Sequence, residues 1–229
     1  MIQAEASRTI SKMKNVKPPT KHQIKSEATR TALLRAAEEI FARDGFERAQ
    51  IDEIAKKSGR TRGAVYAQYK TKEQLFFALI EQRTETAVRE FGFLTAETKE
   101  DDFAARIAAL RNYYAQTKDP QGAILDLELK LYALRHPESM AEQRERYNQL
   151  YPKGDAAKYF GVQQESGRSR VDNRILSLAA LRSGMMLAML FQPDLFTAKE
   201  VQLLLAEVFD GLFPYAGKGQ ENATKTKQK

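Results

Sequence analysis

One stretch of this sequence, Phe46–Leu75, limits the possible fold more than any other, because it predicts two short helices joined by a tight turn. Apolar residues recur at helical spacing on both sides of a glycine: Ile51, Ile54 and Ala55 before it, Val65 and Tyr66 after it. Gly59 ends the first helix, and Thr61 is placed to cap the second. Two short helices across a glycine-containing turn are typical of a helix-turn-helix motif.

The charge of the chain is concentrated around this motif. Residues 1–72 hold 16 Lys and Arg against 8 Asp and Glu, whereas residues 73–214 hold 17 against 21. A basic N-terminal region attached to a mildly acidic body is typical of a protein that binds a polyanion such as DNA. We therefore interpret the rest of the chain as positioning the motif on DNA or regulating when it binds.

Other classes of protein find little support in the composition. The chain has no Cys, and its two histidines, His22 and His136, stand apart without a partner pattern, so we predict no catalytic or metal site and no cofactor. No secretory leader is recognisable at the N-terminus. The longest apolar run, Ile175–Phe191, is interrupted by Arg182 and is shorter than the roughly 20 residues of a membrane span. We expect a cytoplasmic protein with no membrane segment.

The pattern predicts an all-α chain in four parts: a flexible basic arm (1–25), a helix-turn-helix domain (26–72), a helical regulatory and dimerisation domain (73–216) and a flexible polar tail (217–229). The arm could follow DNA phosphates or have no role. The first helix starts at Ser26 and ends at Asp44-Gly45, and a capping box at Thr71 opens a helix to about Phe93.

In the body, helices are predicted over Asp101–Thr117, Pro120–His136 and Val171–Phe191, with a last one capped by Thr197. The second of these also alternates like a strand, but its residue types favour a helix. Its predicted buried stripe is Ile124, Leu127, Leu131 and Leu134. The third is apolar nearly all round, which predicts burial on more than one side.

From about Thr29 to Ile80 the sequence matches a known pattern at these residues: Ala36-Ala37, Ile40-Phe41, Gly45-Phe46, Ile54-Ala55, Gly59, Thr61, Gly63, Val65-Tyr66, Tyr69, Lys72 and Leu75. At this spacing the sequence resembles the DNA-binding region of the TetR/AcrR family of bacterial transcriptional repressors. The resemblance implies an N-terminal three-helix helix-turn-helix domain joined to a larger helical ligand-binding and dimerisation domain. It further implies a dimer that binds a palindromic operator of double-stranded DNA.

The resemblance also assigns expected roles to single residues. Thr61 would meet a phosphate, Gly63 would allow close approach to the DNA backbone, and Tyr66 and Lys72 would contact phosphates, whereas Tyr69 is expected mainly to pack in the core. Departures from the family pattern are Gln50, a poorer helix cap than the usual Ser or Thr, and Arg60. Gln50 remains a DNA-binding candidate, Arg60 and Arg62 could each contact a base or a phosphate, Gln68 could contact a base, and Ala64 could touch a thymine methyl group.

For the body, the resemblance implies a pocket for an unknown small-molecule effector and a homodimer formed through the last two helices. Candidate pocket residues are polar, aromatic or sulfur-containing side chains in apolar helices: Tyr113, Tyr114, Glu128, Tyr132, Arg182, Met185 and Met186. Each could instead fill the core, and Arg182 could form an ion pair in the core or at the dimer interface. Two alternatives remain: a DNA-binding regulator controlled by a protein partner without a small-molecule ligand and, more remotely, a helical enzyme.

Overall fold

The computed structural model describes residues 20–96, 102–141, 145 and 170–213, and it confirms an all-α fold without strands in these ranges. An N-terminal helix-turn-helix domain is joined to a larger helical domain. The described ranges hold the helices α1 (Lys21–Arg48), α2 (Ile51–Lys57), α3 (Arg62–Gln68), α4 (Lys72–Ala96), α5 (Phe103–Ala115), α6 (Pro120–Arg135), α7 (Arg170–Phe191) and α8 (Ala198–Leu212), and residues 137–141 are also helical. The predicted tail and residues 1–19 of the predicted arm lie outside the described residues.

Helix α1 begins before Ser26, so its predicted start was wrong and the last residues of the predicted arm are helical. Thr20 caps it in a reciprocal box, in which the Thr20 hydroxyl accepts from the amide of Gln23 and the Gln23 side chain accepts from the amide of Thr20. Near its other end Gly45 takes φ 76° and ψ 165°, a conformation that essentially only glycine adopts. One more turn follows it.

The core of the DNA-binding region extends beyond the two short helices. Rings of Phe41, Phe46 and Phe76 pack together, with centroids of Phe46 and Phe76 5.1 Å apart. The same cluster continues along α4 to Ile80, past residue 72, where the sequence predicted a domain boundary. It also includes Leu125 and Tyr132 of α6, so the N-terminal domain and α6 share one hydrophobic core.

The stripe predicted for the buried face of α6 was wrong. Leu127 and Leu134 are exposed, the latter by 80%, whereas Leu125 and Tyr132 are buried and Leu129 packs against the same core. Both sets of residues follow a helical period, so periodicity alone did not distinguish them. The buried face of α6 is set by its contact with α1, which covers Leu125, Leu129 and Tyr132.

A second core lies between α5, α7 and α8, where Leu110, Leu178 and Phe209 are fully buried. The predicted burial of α7 on more than one side was wrong for the single chain. Of its described side chains only Leu178 and Met186 are buried, and Phe191 is 84% exposed. By length and composition the segment Asn173–Phe191 could cross a membrane, but helices at protein interfaces can share these properties.

The predicted caps are largely confirmed. At Thr197 the hydroxyl accepts from the Glu200 amide, and the Glu200 carboxylate accepts from the Thr197 amide, which completes the box. At Thr71 only half of the box forms: the hydroxyl accepts from the Gln74 amide, but the Gln74 side chain accepts from Lys70 instead. Helix α4 therefore begins at the predicted position and continues as one helix to Ala96.

Candidate DNA-binding interface

Helix α3 begins at an ordered turn. Gly59 has φ 66°, and no atom lies within 4 Å of the position a Cβ would take there. The hydroxyl of Thr61 accepts from the amide of Ala64 at 3.2 Å, so it caps α3 while its own hydrogen remains available for a donor contact. Val65 is buried against the rest of the domain and holds α3 on its apolar side.

The opposite face of α3 is open to solvent. Arg62, Gly63 and Tyr66 are exposed, and Ala64 is partly exposed. At Gly63 only the Thr61 hydroxyl, 3.9 Å away, would meet an added Cβ, so a phosphate backbone could approach closely. This face carries the side chains for which DNA contact was predicted.

The two arginines beside Thr61 differ in their surroundings. The Arg62 guanidinium binds Asp52 at 2.7 Å and lies 5.5 Å from the Tyr66 ring centroid. Asp52 is the main cause of its raised pKa. Arg60 is exposed, and within the described residues its side chain has no hydrogen bond or ion pair. Arg60 is therefore immediately available to DNA, whereas Arg62 would exchange a solvent-exposed carboxylate for a phosphate or a base.

Two of the predicted contact residues interact with the rest of the protein, Gln68 through a hydrogen bond and Tyr69 through burial of its ring. The side-chain amide of Gln68 donates to the Ser26 hydroxyl at 3.1 Å, which joins the end of α3 to the start of α1. Tyr69 is only 8% exposed, and its burial raises the pKa of its hydroxyl. Tyr69 therefore packs in the core, as expected.

Lys72 connects three elements of the domain. Its ammonium donates to the carbonyls of Glu47 at 2.9 Å and Ala49 at 3.4 Å, and it lies 4.8 Å from the Phe46 ring centroid. The sequence did not predict these contacts, because they join residues far apart in the chain. An ammonium has three N–H groups, so one remains for a phosphate.

Gln50 provides no side-chain cap for α2. Its amide instead donates to the Arg48 carbonyl at 3.1 Å. The expectation that Gln50 is a poor cap is therefore confirmed. The first amides of α2 therefore have no side-chain partner from Gln50.

A cleft of about 480 Å³ lies between α4, α6 and α7. Arg182 and Met186, both predicted pocket residues, line it. The other predicted residues do not: Tyr113, Tyr114, Glu128, Tyr132 and Met185. Tyr114 belongs to the second core, where burial raises its pKa. Most of the lining was not indicated by the sequence, including Arg83 and Asp119, which form an ion pair in the wall of the cleft.

Glu128 and Tyr132 join the body to the DNA-binding domain instead of lining the cleft. The Glu128 carboxylate accepts from the Phe46 amide at 2.9 Å. The Tyr132 ring packs edge-on against Phe46 and Phe77, with centroids 4.9 and 5.3 Å away. Their prediction as pocket residues is corrected by this placement, which follows from the face that α6 turns towards α1.

Comparison with known proteins also indicates a DNA-binding region at the helix-turn-helix. Residues 33–79 match the family model described as bacterial regulatory proteins, tetR family. Over 69 residues the chain is 38% identical to the HTH-type transcriptional regulator UidR from Escherichia coli strain K12, which covers 30% of this chain and 35% of UidR. It is 40% identical over 58 residues to SrpR from Pseudomonas putida, covering 25% and 27%. The match thus spans about a third or less of these relatives.

Solved structures resemble the chain over most of its length. A transcriptional regulator from Rhodococcus sp. Rha1 has a TM-score of 0.58 at 20% identity, covering 80% of this chain and 95% of that one. FadR from Bacillus subtilis, in complex with stearoyl-CoA, has a TM-score of 0.56 at 18% identity, covering 80% and 97%. These likenesses extend the shared fold into the body. At residues 33–79 the chain carries the domain that defines the tetR family of bacterial regulatory proteins.

Proposed function

We propose that this protein is a transcriptional repressor that binds a palindromic DNA operator as a homodimer and is released by a small-molecule effector. The observation that carries the proposal is the exposed surface at α3: Arg60 and the cap residue Thr61 lie just before the helix, and Arg62 and Tyr66 lie on it. The relatives matched over this region are described as transcriptional regulators, which favours regulation over catalysis.

The proposed dimer interface is the outer face of α7 and α8. Large apolar side chains are exposed there, with Phe191 at 84%, Leu195 at 66% and Leu203 at 57%. A monomer rarely leaves so many large apolar groups in water. Pairing of two such faces would present two copies of α3 to half-sites about 34–36 Å apart, or a multiple of that distance.

The proposed effector site is the cleft between α4, α6 and α7. Its volume of about 480 Å³ lies within the range of small-molecule sites. Helix α4 both lines this cleft and starts in the core of the DNA-binding domain, and α6 lines it while contacting Phe46. These two connections favour a small-molecule effector over control by a protein partner alone. An effector that prefers one spacing of the two domains changes operator affinity by the same free energy.

Fluorescence anisotropy with the DNA upstream of the protein's own gene tests DNA binding. We expect specific, salt-sensitive binding that weakens about tenfold or more in Arg60→Ala, since a good arginine-to-base contact contributes roughly 1–3 kcal/mol. If Arg60 contacts only a phosphate, binding weakens on all sequences and the salt slope falls by about one. Arg89→Ala is the matched control, because Arg89 is an exposed arginine far along α4.

Two results would contradict the proposal. One is the absence of specific binding by the unaltered protein to that DNA. The other is an equal loss of binding in the Arg60 and Arg89 variants, which would show a general charge effect without a contact from α3.

A further inference from the structure

The charged side chains of the cleft are mostly paired with one another. Arg83 binds Glu38 of α1 and Asp119 at the start of α6. Lys130 binds Asp126 at 2.5 Å, one turn away on the same helix. Both cations therefore already have carboxylate partners, and an entering ligand would have to displace those partners to use them.

Arg182 is different from these two cations. It lines the cleft from α7, and no carboxylate of the described residues lies within 4 Å of its guanidinium. The guanidinium instead lies over the ring of Tyr113, whose centroid is 5.8 Å from the guanidinium carbon. The ring supports the guanidinium from one side and leaves its N–H groups without a carboxylate acceptor.

Burial makes this arrangement significant. Arg182 is partly buried beside the Tyr113 ring, so it loses part of its hydration without gaining an anionic partner among the described residues. The planar guanidinium matches a carboxylate through two parallel hydrogen bonds. The group that would pair with Arg182 is therefore an anion.

The rest of the cleft is largely apolar. Side chains from three helices form its walls, among them Phe77 and Ile80 of α4, Leu125 and Leu129 of α6, and Leu176 and Met186 of α7. Such walls favour a hydrocarbon group, since burying apolar surface contributes about 25 cal/mol per Å².

We propose that the cleft binds an amphipathic carboxylate, with its carboxylate on Arg182 and its hydrocarbon chain along the apolar walls. This inference rests on the proposed function only in taking the cleft as the effector site. A single negative charge is enough to pair with Arg182, and the carboxylates that already bind Arg83 and Lys130, together with Glu81 in the lining, disfavour a second one.

Isothermal titration calorimetry on the full chain tests the charge preference. The probes are decanoate, decyltrimethylammonium and 1-decanol, which share a ten-carbon chain and differ in the head group, each used below its aggregation concentration. We expect decanoate to bind at least tenfold more tightly than the cation or the alcohol. Equal or tighter binding of the cation, or no binding of decanoate, overturns the proposal.

Three variants locate the site. Arg182→Gln should weaken decanoate binding about tenfold or more, while Arg182→Lys, which keeps the charge without the planar fork, should lose less. Ala180→Phe places a ring in the cleft from a solvent-exposed position and should abolish binding. Arg89→Gln removes the same charge elsewhere and should change nothing. Circular dichroism melting checks that each variant is folded.

The outcomes separate this inference from the proposed function. An affinity for decanoate within twofold of the unaltered protein in folded Arg182→Gln overturns the carboxylate assignment, even if operator binding is normal. Loss of operator binding in the unaltered protein overturns the proposed function, even if decanoate binds as expected. The anisotropy assay without any ligand and the calorimetry without DNA give these two answers independently.

Discussion

Removing the Glu128 carboxylate should loosen the attachment of the DNA-binding domain to the body. Glu128 accepts the amide hydrogen of Phe46, a residue of the domain core, at 2.9 Å across a sequence separation of 82 residues. In Glu128→Ala this amide loses its acceptor in a partly buried place. A hydrogen bond to a charged group contributes about 1.5–3 kcal/mol, and an unsatisfied buried donor costs about 1–3 kcal/mol.

The magnitude can be worked from that single contact. A local loss of about 1.5–3 kcal/mol raises the population of open states by roughly 10- to 100-fold, because 1.4 kcal/mol is a factor of ten. Amide hydrogen exchange should therefore be about 10- to 100-fold faster at Phe46 in Glu128→Ala. Glu128→Gln retains a neutral acceptor, so the exchange rate of the Phe46 amide in this variant should lie between those of the unaltered protein and of Glu128→Ala.

Hydrogen exchange followed by NMR measures this directly, with urea unfolding as the measure of global stability. Glu85→Ala is the matched control, since Glu85 is exposed on α4. If Phe46 exchanges at the same rate in Glu128→Ala as in the unaltered protein, the amide is protected by burial alone. The reasoning that makes Glu128 a connection between the two parts of the molecule would then be wrong.

Three further predictions concern other contacts of the same structure. Gly45→Ala should lower the free energy of unfolding in urea by about 1–3 kcal/mol, because φ 76° with ψ 165° is strained for alanine and the new methyl group would lie 3.1 Å from Glu128 Oε1. Lys72→Met should cost about 1 kcal/mol by the same measurement, through the lost carbonyl contacts of its ammonium, and should also weaken operator binding. Phe191→Glu should shift the protein towards monomers in analytical ultracentrifugation, and an unchanged mass would refute the proposed interface.

The sequence predicted the DNA-binding region well because the relevant signals there are local. Gly59, the cap at Thr61 and the apolar positions around Val65 each act within a few residues. The start of α1 was missed although its signal was also local: Thr20 and Gln23 form a capping box inside a stretch whose lysines favoured an unstructured arm.

Predictions failed where the answer depended on which surfaces meet. The alternating leucines of α6 offer two helical faces, and only contact with α1 selects the one that holds Leu125. The apolar composition of α7 predicted burial, but composition does not show whether the residues that bury this helix belong to the same chain or to a second one. Glu128 was likewise predicted as a pocket residue, because its contact with the Phe46 amide joins residues 82 positions apart and is not visible in the local sequence.

Because α4 is one continuous helix, a tilt at the cleft moves the DNA-binding domain at its N-terminal end. From Lys72 to Ala87, the last of its residues that line the cleft, α4 spans about 22 Å at roughly 1.5 Å per residue. A tilt of about 9° at Ala87 displaces the start of the helix by about 3.5 Å, close to the rise of one base pair of about 3.4 Å. In the proposed dimer, a shift of that size in each subunit would change the spacing of the two α3 helices by up to two base-pair steps. The proposed effector would therefore need only a small angular change at the cleft to move both helices out of register with their half-sites.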